Sequence, residues 1–387
     1  MFAPAAAVTA QPSRPSLRAL TSYFLKLGAV GFGGPIALAG AMQRTLVDDR
    51  RWLSREDYLE GLALAQLAPG PLAAQLAMYI GYLSSGVVGA TAVGVAFILP
   101  SFLLVWLLAV AYVHFGGLWW MQGLFYGIGA TVIGIIARSA SKLARVTLGR
   151  DRLLWTIAIV MATVTALTGR ENIWLLLLSG LIPLAAPAVA SDVASTVASG
   201  FRRTTFFSVA SLPATKVSLL SLGWFFTRAG AFVFGSGLAV VPFLYGGIVM
   251  ERHWLTDQQF LDAVAVALIT PGPVVITVAF VGYLVRGAPG MTVAALGVFL
   301  PAYLVVVLAA PWFRRNHDRP AVKAFVSGVT AAATGAIAGA SIVLGRRALI
   351  DPLTVGLAAV TLLVLARWRI SELWLIAAGG AAGLCLR

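Results

Sequence analysis

Four breaks rich in glycine and proline interrupt apolar stretches of this 387-residue chain, and they form two pairs. The first pair is Gly31-Phe32-Gly33-Gly34-Pro35 and Phe234-Gly235-Ser236-Gly237, and the second is Ala68-Pro69-Gly70-Pro71 and Thr270-Pro271-Gly272-Pro273. Proline removes a backbone donor and clashes with the preceding turn, so each Pro-Gly-Pro run ends a helix. Glycine permits the unusual dihedrals that such a break requires. Because freed backbone groups are costly in hydrocarbon unless they line a cavity or meet a partner, the breaks predict a site.

The chemistry that these breaks favour is anion binding. A helix that starts again after a break points free N–H groups and the positive end of its dipole toward the break. Gln66 and Thr270 lie beside the two Pro-Gly-Pro runs and could donate hydrogen bonds to the oxygens of an oxyanion. The alternative is that glycine and proline only allow helices to pack closely, with the polar side chains bonded between helices.

Two basic residues interrupt apolar stretches at equivalent places. Lys26 precedes Gly33 by seven residues, or about two helical turns, and Arg228 precedes Gly235 by the same interval. A cation within a membrane segment costs about 2.5–3.5 kcal/mol on insertion scales, so the repeated placement suggests a pair that attracts an anion. Alternatively, each side chain lies near a helix end and extends to the lipid headgroups.

Two acids, Glu60 and Asp262, occupy equivalent positions before the Pro-Gly-Pro runs and could carry a coupling proton. They could equally cap their helices or face the headgroups. The three histidines are scattered and the chain has one cysteine, Cys385, so we expect no metal site and no cofactor. No sequence motif of a hydrolase or an ATPase is present, and we do not expect an enzyme.

Composition places these breaks in a membrane protein. Hydrophobic residues make up 60% of the chain and charged residues 11%, with a mean hydropathy of +0.92. A bilayer core needs about 20 apolar residues for each crossing helix. The apolar runs are continuous rather than alternating, which predicts an all-α polytopic protein. The main apolar runs are 88–113, 119–137, 153–168, 172–190, 291–313 and 352–366.

The net charge of +14 comes from Lys and Arg in short loops between these runs. Such a distribution is typical of the positive-inside rule and argues against a nucleic-acid partner. We therefore predict a multi-pass protein of the inner (cytoplasmic) membrane, with lipids as its surroundings and a homodimer as the default assembly.

The chain is an internal repeat, because residue n matches residue n+202 over long stretches. Trp52-Leu53-Ser54 matches Trp254-Leu255-Thr256, for example, and each Pro-Gly-Pro run matches the other. We predict a disordered N-terminal extension over 1–16, a first repeat over 17–190, a linker over 191–217 and a second repeat over 218–387. Duplicated halves are typical of secondary transporters.

Loop charge favours halves of inverted topology. Segment 115–121 contains no Lys or Arg, whereas its equivalent 314–323 contains four, so the two loops are expected on opposite sides of the membrane. Inversion requires an odd number of crossings in each half. If the interrupted segments 55–85 and 257–285 enter and leave on one side, about ten crossings remain.

These motifs resemble the chromate ion transporter family, specifically its long members with two domains. The resemblance covers nearly the whole chain after residue 17. It is carried by Phe24-Leu25-Lys26-Leu27-Gly28 leading into the first break, by Gln66-Leu67-Ala68 leading into the first Pro-Gly-Pro run, and by the corresponding breaks of the second half. The second half departs from the first, since Gly34-Pro35 becomes Ser236-Gly237 and Gln66 becomes Leu268. The two halves are therefore not expected to contribute equal ligands.

The resemblance implies two homologous halves of opposite orientation and export of chromate from the bacterial cytoplasm, with chromate resistance as the result. Sulfate, a tetrahedral dianion of similar size, is implied as a related or competing ion. A sulfate or other oxyanion transporter and an anion channel stay open as alternatives, and a membrane-embedded enzyme acting on lipid is a remote one. Membrane potential, proton exchange and sulfate exchange are all open as driving forces.

Overall fold

A computed structural model of the chain describes residues 15–32, 34–115, 119–168, 175–183 except 177, 217–231, 240–311, 319–349 and 351–386 except 369 and 371. Within these ranges the protein is helical, as the sequence predicts. Four helices are long and apolar enough to cross a membrane, and three shorter apolar helices accompany them. Most of the predicted N-terminal extension and most of the predicted linker lie outside the described residues.

The first half contains six helices with described bounds, α1 to α6, and residues 175–176 and 178–183 are also helical. In order they are α1 (Leu17–Val30), α2 (Gly34–Met42), α3 (Arg55–Leu67), α4 (Leu72–Phe115), α5 (Trp119–Leu148) and α6 (Arg152–Thr168). The side chain of Ser54 accepts a hydrogen bond from the Asp57 backbone N–H and thereby caps α3. A π-helical turn, Gln43–Asp49, follows α2.

The second half repeats this order in helices α7 to α13. They are α7 (Leu219–Ala231), α8 (Val240–Tyr245), α9 (Asp257–Ile269), α10 (Thr277–Leu304), α11 (Pro320–Ala348), α12 (Pro352–Arg367) and α13 (Glu372–Leu386). A π-helical turn, Gly246–Glu251, again follows the short helix. Thr256 and Gln259 form a reciprocal capping box at the start of α9, where the first half uses Ser54.

The repeat extends to the least common backbone conformations. Arg51 and His253 both have a φ of 51°, and they are the described non-glycine residues with a positive φ. Both long helices bend sharply at matching glycines, because Gly86 has a φ of 59° and Gly287 a φ of 63°. Glycine adopts this region without the steric penalty of a Cβ atom. The two halves therefore share their turns as well as their helices.

Each half also holds the loop before its third helix with an arginine between two aromatic rings. The guanidinium of Arg50 lies 4.5 Å from the ring centroid of Trp52 and 5.9 Å from that of Tyr23. In the second half, the guanidinium of Arg252 lies 4.9 Å from the ring of Phe225 and 5.2 Å from that of Trp254. These are cation–π distances, and they tie each loop to the first helix of its own half.

The later helices pack crosswise between the halves. Helix α1 packs on α4 and α7 packs on α10, but α5 packs on α12 and α13, and α11 packs on α6. Small residues allow these helices to approach closely. A Cβ atom added at Gly127 of α5 would lie 1.9 Å from the carbonyl oxygen of Gly379 of α13, and one at Gly335 of α11 would lie 2.1 Å from that of Ala158 of α6. Each half thus supplies helices that pack on those of the other half.

Candidate functional site

The two Pro-Gly-Pro runs break the chain as the sequence predicts. Helix α3 ends at Leu67, and α4 begins at Leu72 directly after Pro71. In the second half α9 ends at Ile269, and a 3-10 turn, Val274–Ile276, leads from Pro273 into α10. Gly70 has a φ of 142° and Gly272 a φ of 91°. These values favour glycine, so the middle residue of each run is constrained by its backbone.

The first break of the first half is also present. Gly31 closes α1 by donating its N–H to the carbonyl of Leu27, and α2 begins at Gly34, which has a φ of 76°. Pro35 occupies the second position of α2, where a backbone N–H has no partner within the helix. Proline therefore costs no helical hydrogen bond there. The predicted site residues Gly33, Gly235, Ser236 and Gly237 lie outside the described residues.

Breaks from opposite halves are in direct contact. The N–H of Gly272 donates to the carbonyl oxygen of Gly31 over 2.8 Å, which joins the second-half Pro-Gly-Pro run to the first-half break. Gly272 also lies against α4, because a Cβ atom there would be 2.0 Å from Ser101 Oγ. In the matching contact, a Cβ atom at Gly70 would be 2.8 Å from Ala302 Cβ on α10. Each Pro-Gly-Pro glycine therefore packs on the long helix of the other half.

A narrow recess lies where these breaks meet. Its lining comes from three helix starts: those of α2, of α4 and of the turn that leads into α10. The lining residues are Pro35, Leu38, Pro71, Leu72, Ala73, Gly272, Pro273, Val274 and Val275. None of them carries a charge. The first N–H groups of a helix have no partner within that helix, and the dipole places partial positive charge beside them. Three such ends around one uncharged recess favour negative charge there. Its volume of about 10 Å³ is room for about one water molecule, so an oxyanion requires the recess to widen.

The polar residues beside the Pro-Gly-Pro runs differ in burial and in hydrogen bonding. Thr270 is buried, and its hydroxyl donates to the carbonyl of Ala267 over 3.0 Å, so it closes the end of α9. Gln66 is exposed. Gln75 is fully buried beside the first run and donates from Nε2 to the carbonyl of Pro69 over 2.9 Å. Its Oε1 atom has no hydrogen-bond partner in the described part of the chain.

The predicted basic pair lies apart from the recess lining. Lys26 on α1 and Arg228 on α7 are both exposed, and neither lines the recess. The structure thus brings the Pro-Gly-Pro runs and the first break together without bringing these cations into the same lining. A role for them as direct ligands stays a prediction.

The two predicted acids have different surroundings. Glu60 on α3 is half-buried and accepts a hydrogen bond from the Tyr79 hydroxyl of its own half over 3.2 Å. Asp262 on α9 is buried and accepts a hydrogen bond from Tyr112 of the other half over 2.6 Å. Residues that match in sequence therefore serve different contacts.

Sequence reasoning missed Ser101 and Ala302, which fix the position of the two Pro-Gly-Pro glycines. A signal was available, because Pro100 and Pro301 match each other in the repeat and mark the same place on the two long helices. Ser101 and Ala302 directly follow these prolines. Their contact with the Pro-Gly-Pro run of the opposite half depends on the crosswise packing of helices, which no local pattern reveals.

Comparison with known proteins supplies an independent assignment. The model of the chromate transporter family matches residues 18–184 and again residues 220–384, which confirms the two homologous halves. The chain is 55% identical to the chromate transport protein of Cupriavidus metallidurans over 378 residues, covering 95% of this chain and 93% of that protein. It is 55% identical to a probable chromate transport protein of Synechococcus elongatus over 339 residues, covering 87% and 86% of the two chains. It is 32% identical to the chromate transport protein of Pseudomonas aeruginosa over 402 residues, covering 98% and 94%. No solved structure matches the chain.

Proposed function

This chain belongs to the chromate transporter family, and from that premise we propose that it carries chromate across the membrane, with the dianion bound in the recess between its halves. The family is one of transporters rather than enzymes. The observation that supports the site is the meeting of three helix starts, from both halves, at a recess lined by uncharged residues. Backbone N–H groups and helix dipoles bind an anion without requiring a buried cation.

We propose that the protein lies in the inner (cytoplasmic) membrane and exports chromate, which would confer chromate resistance. An inside-negative potential favours outward movement of an anion by about 2.3 kcal/mol per charge per 100 mV, and chromate carries two charges. Sulfate has the same shape and charge, so we expect it to compete for the recess. A homodimer remains the expected assembly, and no contact described above depends on it.

We further propose that the two halves are inverted, with about ten crossings in all. The halves exchange equivalent contacts, Gly272 with Ser101 and Gly70 with Ala302, as any twofold axis between them requires. The observation that supports an axis in the membrane plane is loop charge, because the matching loops 115–121 and 314–323 differ sharply in positive charge. Inverted repeats that meet at broken helices are a common design for alternating access around one site.

The exposed cations Lys26 and Arg228 fit a role in attracting the anion before it reaches the recess. An exposed charge acts over distances of about a Debye length, roughly 8 Å at physiological ionic strength. We therefore expect the variants K26Q and R228Q to slow uptake most at low ionic strength and to insert normally. Gln66, which is also exposed, would assist at the entrance rather than within the recess.

The direct test is uptake of radiolabelled chromate into everted membrane vesicles under an imposed potential, with and without excess sulfate. We expect saturable uptake that sulfate inhibits. Uptake that rises linearly with concentration would indicate a channel, and uptake no greater than in vesicles lacking the protein would refute chromate transport.

A matched pair of variants tests the recess itself. Val274 is half-buried in its lining, and V274D adds a negative charge there whereas V274N adds a polar group of the same size. Repulsion of about 1.4 kcal/mol is enough for a tenfold loss of affinity, so V274D should raise the KM for chromate at least about tenfold above that of V274N. Equal KM values for the two folded variants would exclude the recess as the anion site.

A further inference from the structure

Asp262 is a buried acid whose hydrogen-bond partners are both neutral. The side chain is 3% exposed. Its Oδ2 atom accepts the hydroxyl hydrogen of Tyr112 over 2.6 Å, and its Oδ1 atom accepts from Gln258 Nε2 over 2.8 Å. No lysine or arginine among the described residues forms an ion pair with it. An ionised carboxylate is costly to bury without a cation, and ionisable residues inside membrane proteins commonly mark ion or proton pathways.

The surroundings of this pair are aromatic. The ring of Tyr112 meets Phe125 of α5 and Phe280 of α10 edge-on, with centroids 5.4 and 5.3 Å apart. Helix α9 packs against α4, α5, α10, α11 and α13. Of the described ionisable residues on those helices, only Tyr112 is bonded to Asp262.

Other titratable groups on those helices have partners of their own. Tyr126 of α5 donates to Asp351, and Glu372 of α13 lies in the field of Lys142 of α5. Because no described cation forms an ion pair with Asp262, this acid is placed to take up or release a proton.

Asp262 also connects the two halves and the recess. Tyr112 lies near the end of α4 in the first half, whereas Asp262 lies on α9 in the second. Helix α9 continues from Asp262 for roughly 12 Å to Thr270, where the Pro-Gly-Pro run that lines the recess begins. A change in the bond to Tyr112 can therefore be transmitted along α9 to the anion site. Glu60, by contrast, is half-buried and accepts a hydrogen bond from Tyr79 of its own half.

We propose that Asp262 binds and releases one proton in exchange for the transported oxyanion, so that the protein is an anion–proton antiporter. This inference rests on the function proposed above. When ionised, the carboxylate holds Tyr112 through a charge-assisted hydrogen bond, which is roughly twice as strong as a neutral one. After the anion has left on the outer side, a proton from that side neutralises the carboxyl group and loosens the end of α4 from α9. The anion-free protein returns to its inward-facing state and releases the proton to the cytoplasm. The bond to Tyr112 then forms again before the next anion binds.

The test uses the purified full chain in proteoliposomes that contain radiolabelled chromate and a pH-sensitive dye. Potassium with valinomycin clamps the potential at zero, and an alkaline medium keeps chromate fully ionised. We expect outward chromate flux in the wild type to draw protons inward. The D262N variant should lose proton movement at least about tenfold. It should keep chromate–chromate exchange, because an amide oxygen can still accept the Tyr112 hydroxyl hydrogen and exchange needs no change in protonation.

Two variants serve as controls. E60Q alters the matching acid of the first half and should keep proton movement. Y112F removes the donor but keeps the carboxyl group, so proton movement should persist with a changed pH midpoint. Loss of proton movement in E60Q, or its retention in D262N, would assign the proton to another residue and overturn the proposal.

The remaining outcomes separate this proposal from the proposed function. Wild-type chromate flux without proton movement would overturn antiport and leave chromate transport standing. Loss of chromate–chromate exchange in folded D262N would also overturn it, since Asp262 would then be needed for binding or folding. Absence of any chromate flux in the wild type would refute the proposed function and this inference with it.

Discussion

The substitution of Gly272 by alanine tests the contact between the two halves most directly. The new Cβ atom would lie 2.0 Å from Ser101 Oγ, 3.2 Å from Ser101 Cβ and 3.3 Å from the carbonyl oxygen of Gly28. Overpacking of this kind typically costs about 1–3 kcal/mol. The φ of 91° is a conformation that alanine rarely adopts, and such backbone strain adds about 1–3 kcal/mol. We therefore expect G272A to lose roughly 2–6 kcal/mol of stability.

The assay is thermal unfolding of the purified protein in detergent, followed by chromate uptake at equal amounts of folded protein. G272A should melt several degrees below the wild type and transport poorly, because the hydrogen bond from Gly272 to Gly31 would be displaced. Gly129 on α5 is the control, since a Cβ atom there meets nothing within 4 Å. In a helix, alanine is favoured over glycine by about 0.5–1 kcal/mol, so G129A should be neutral or stabilising.

A second-site variant identifies the colliding atom. S101A removes the oxygen nearest the new methyl group, and the second half already carries alanine at the matching position, Ala302. The single variant loses only a long hydrogen bond from Ser101 Oγ to the Gly28 carbonyl, 3.3 Å in length. We expect S101A to restore part of the stability and uptake that G272A loses. If G272A melts and transports like the wild type, the packing of this run on α4 is wrong.

Three further predictions concern contacts away from the recess. R50A and R252A should each lower the melting temperature, by an amount that reflects about 0.5–1 kcal/mol of lost cation–π attraction, and the two losses should be similar because the halves match. The Tyr126 hydroxyl holds the pKa of Asp351 below its usual range, so the stability from this pair is present at neutral pH and is lost as pH falls through that lowered pKa. Y126F should accordingly melt below the wild type at neutral pH, with the difference closing in acid. G127A should destabilise the contact of α5 with α13 by about 1–3 kcal/mol in the same melting assay, because its methyl group meets a backbone carbonyl that cannot move aside.

Local features of the fold could be predicted from the sequence because their causes are local. Proline ends a helix by its own chemistry, so the interruptions at Pro69 and Pro271 are visible in the residues themselves. The duplicated halves were visible for a related reason, because matching residues impose matching turns, as at Gly86 and Gly287. The π-helical turns after α2 and α8 were not predicted, since no residue type marks them.

The candidate site could be predicted only in part. The sequence indicated which breaks belong together, but the meeting of Gly31 with Gly272 depends on the packing of whole helices from both halves. The same limit separates Glu60 from Asp262, because two acids at matching positions acquire different burial once the halves pack crosswise. Lys26 and Arg228 occupy matching positions in the two halves, but neither side chain lies in the recess lining. The shared sequence pattern therefore did not predict where these side chains lie.

The crosswise packing also has a consequence for biosynthesis. Helix α5 finds its partners α12 and α13 only after roughly 220 further residues have been made, which at about 5–20 residues per second takes on the order of 10–40 seconds. During that interval no described helix of the first half covers its glycine-lined face. The nascent first half must wait in the membrane beside the insertion machinery, exposed to quality-control proteases. Codon choice and translation speed in the second half should therefore influence how much protein accumulates.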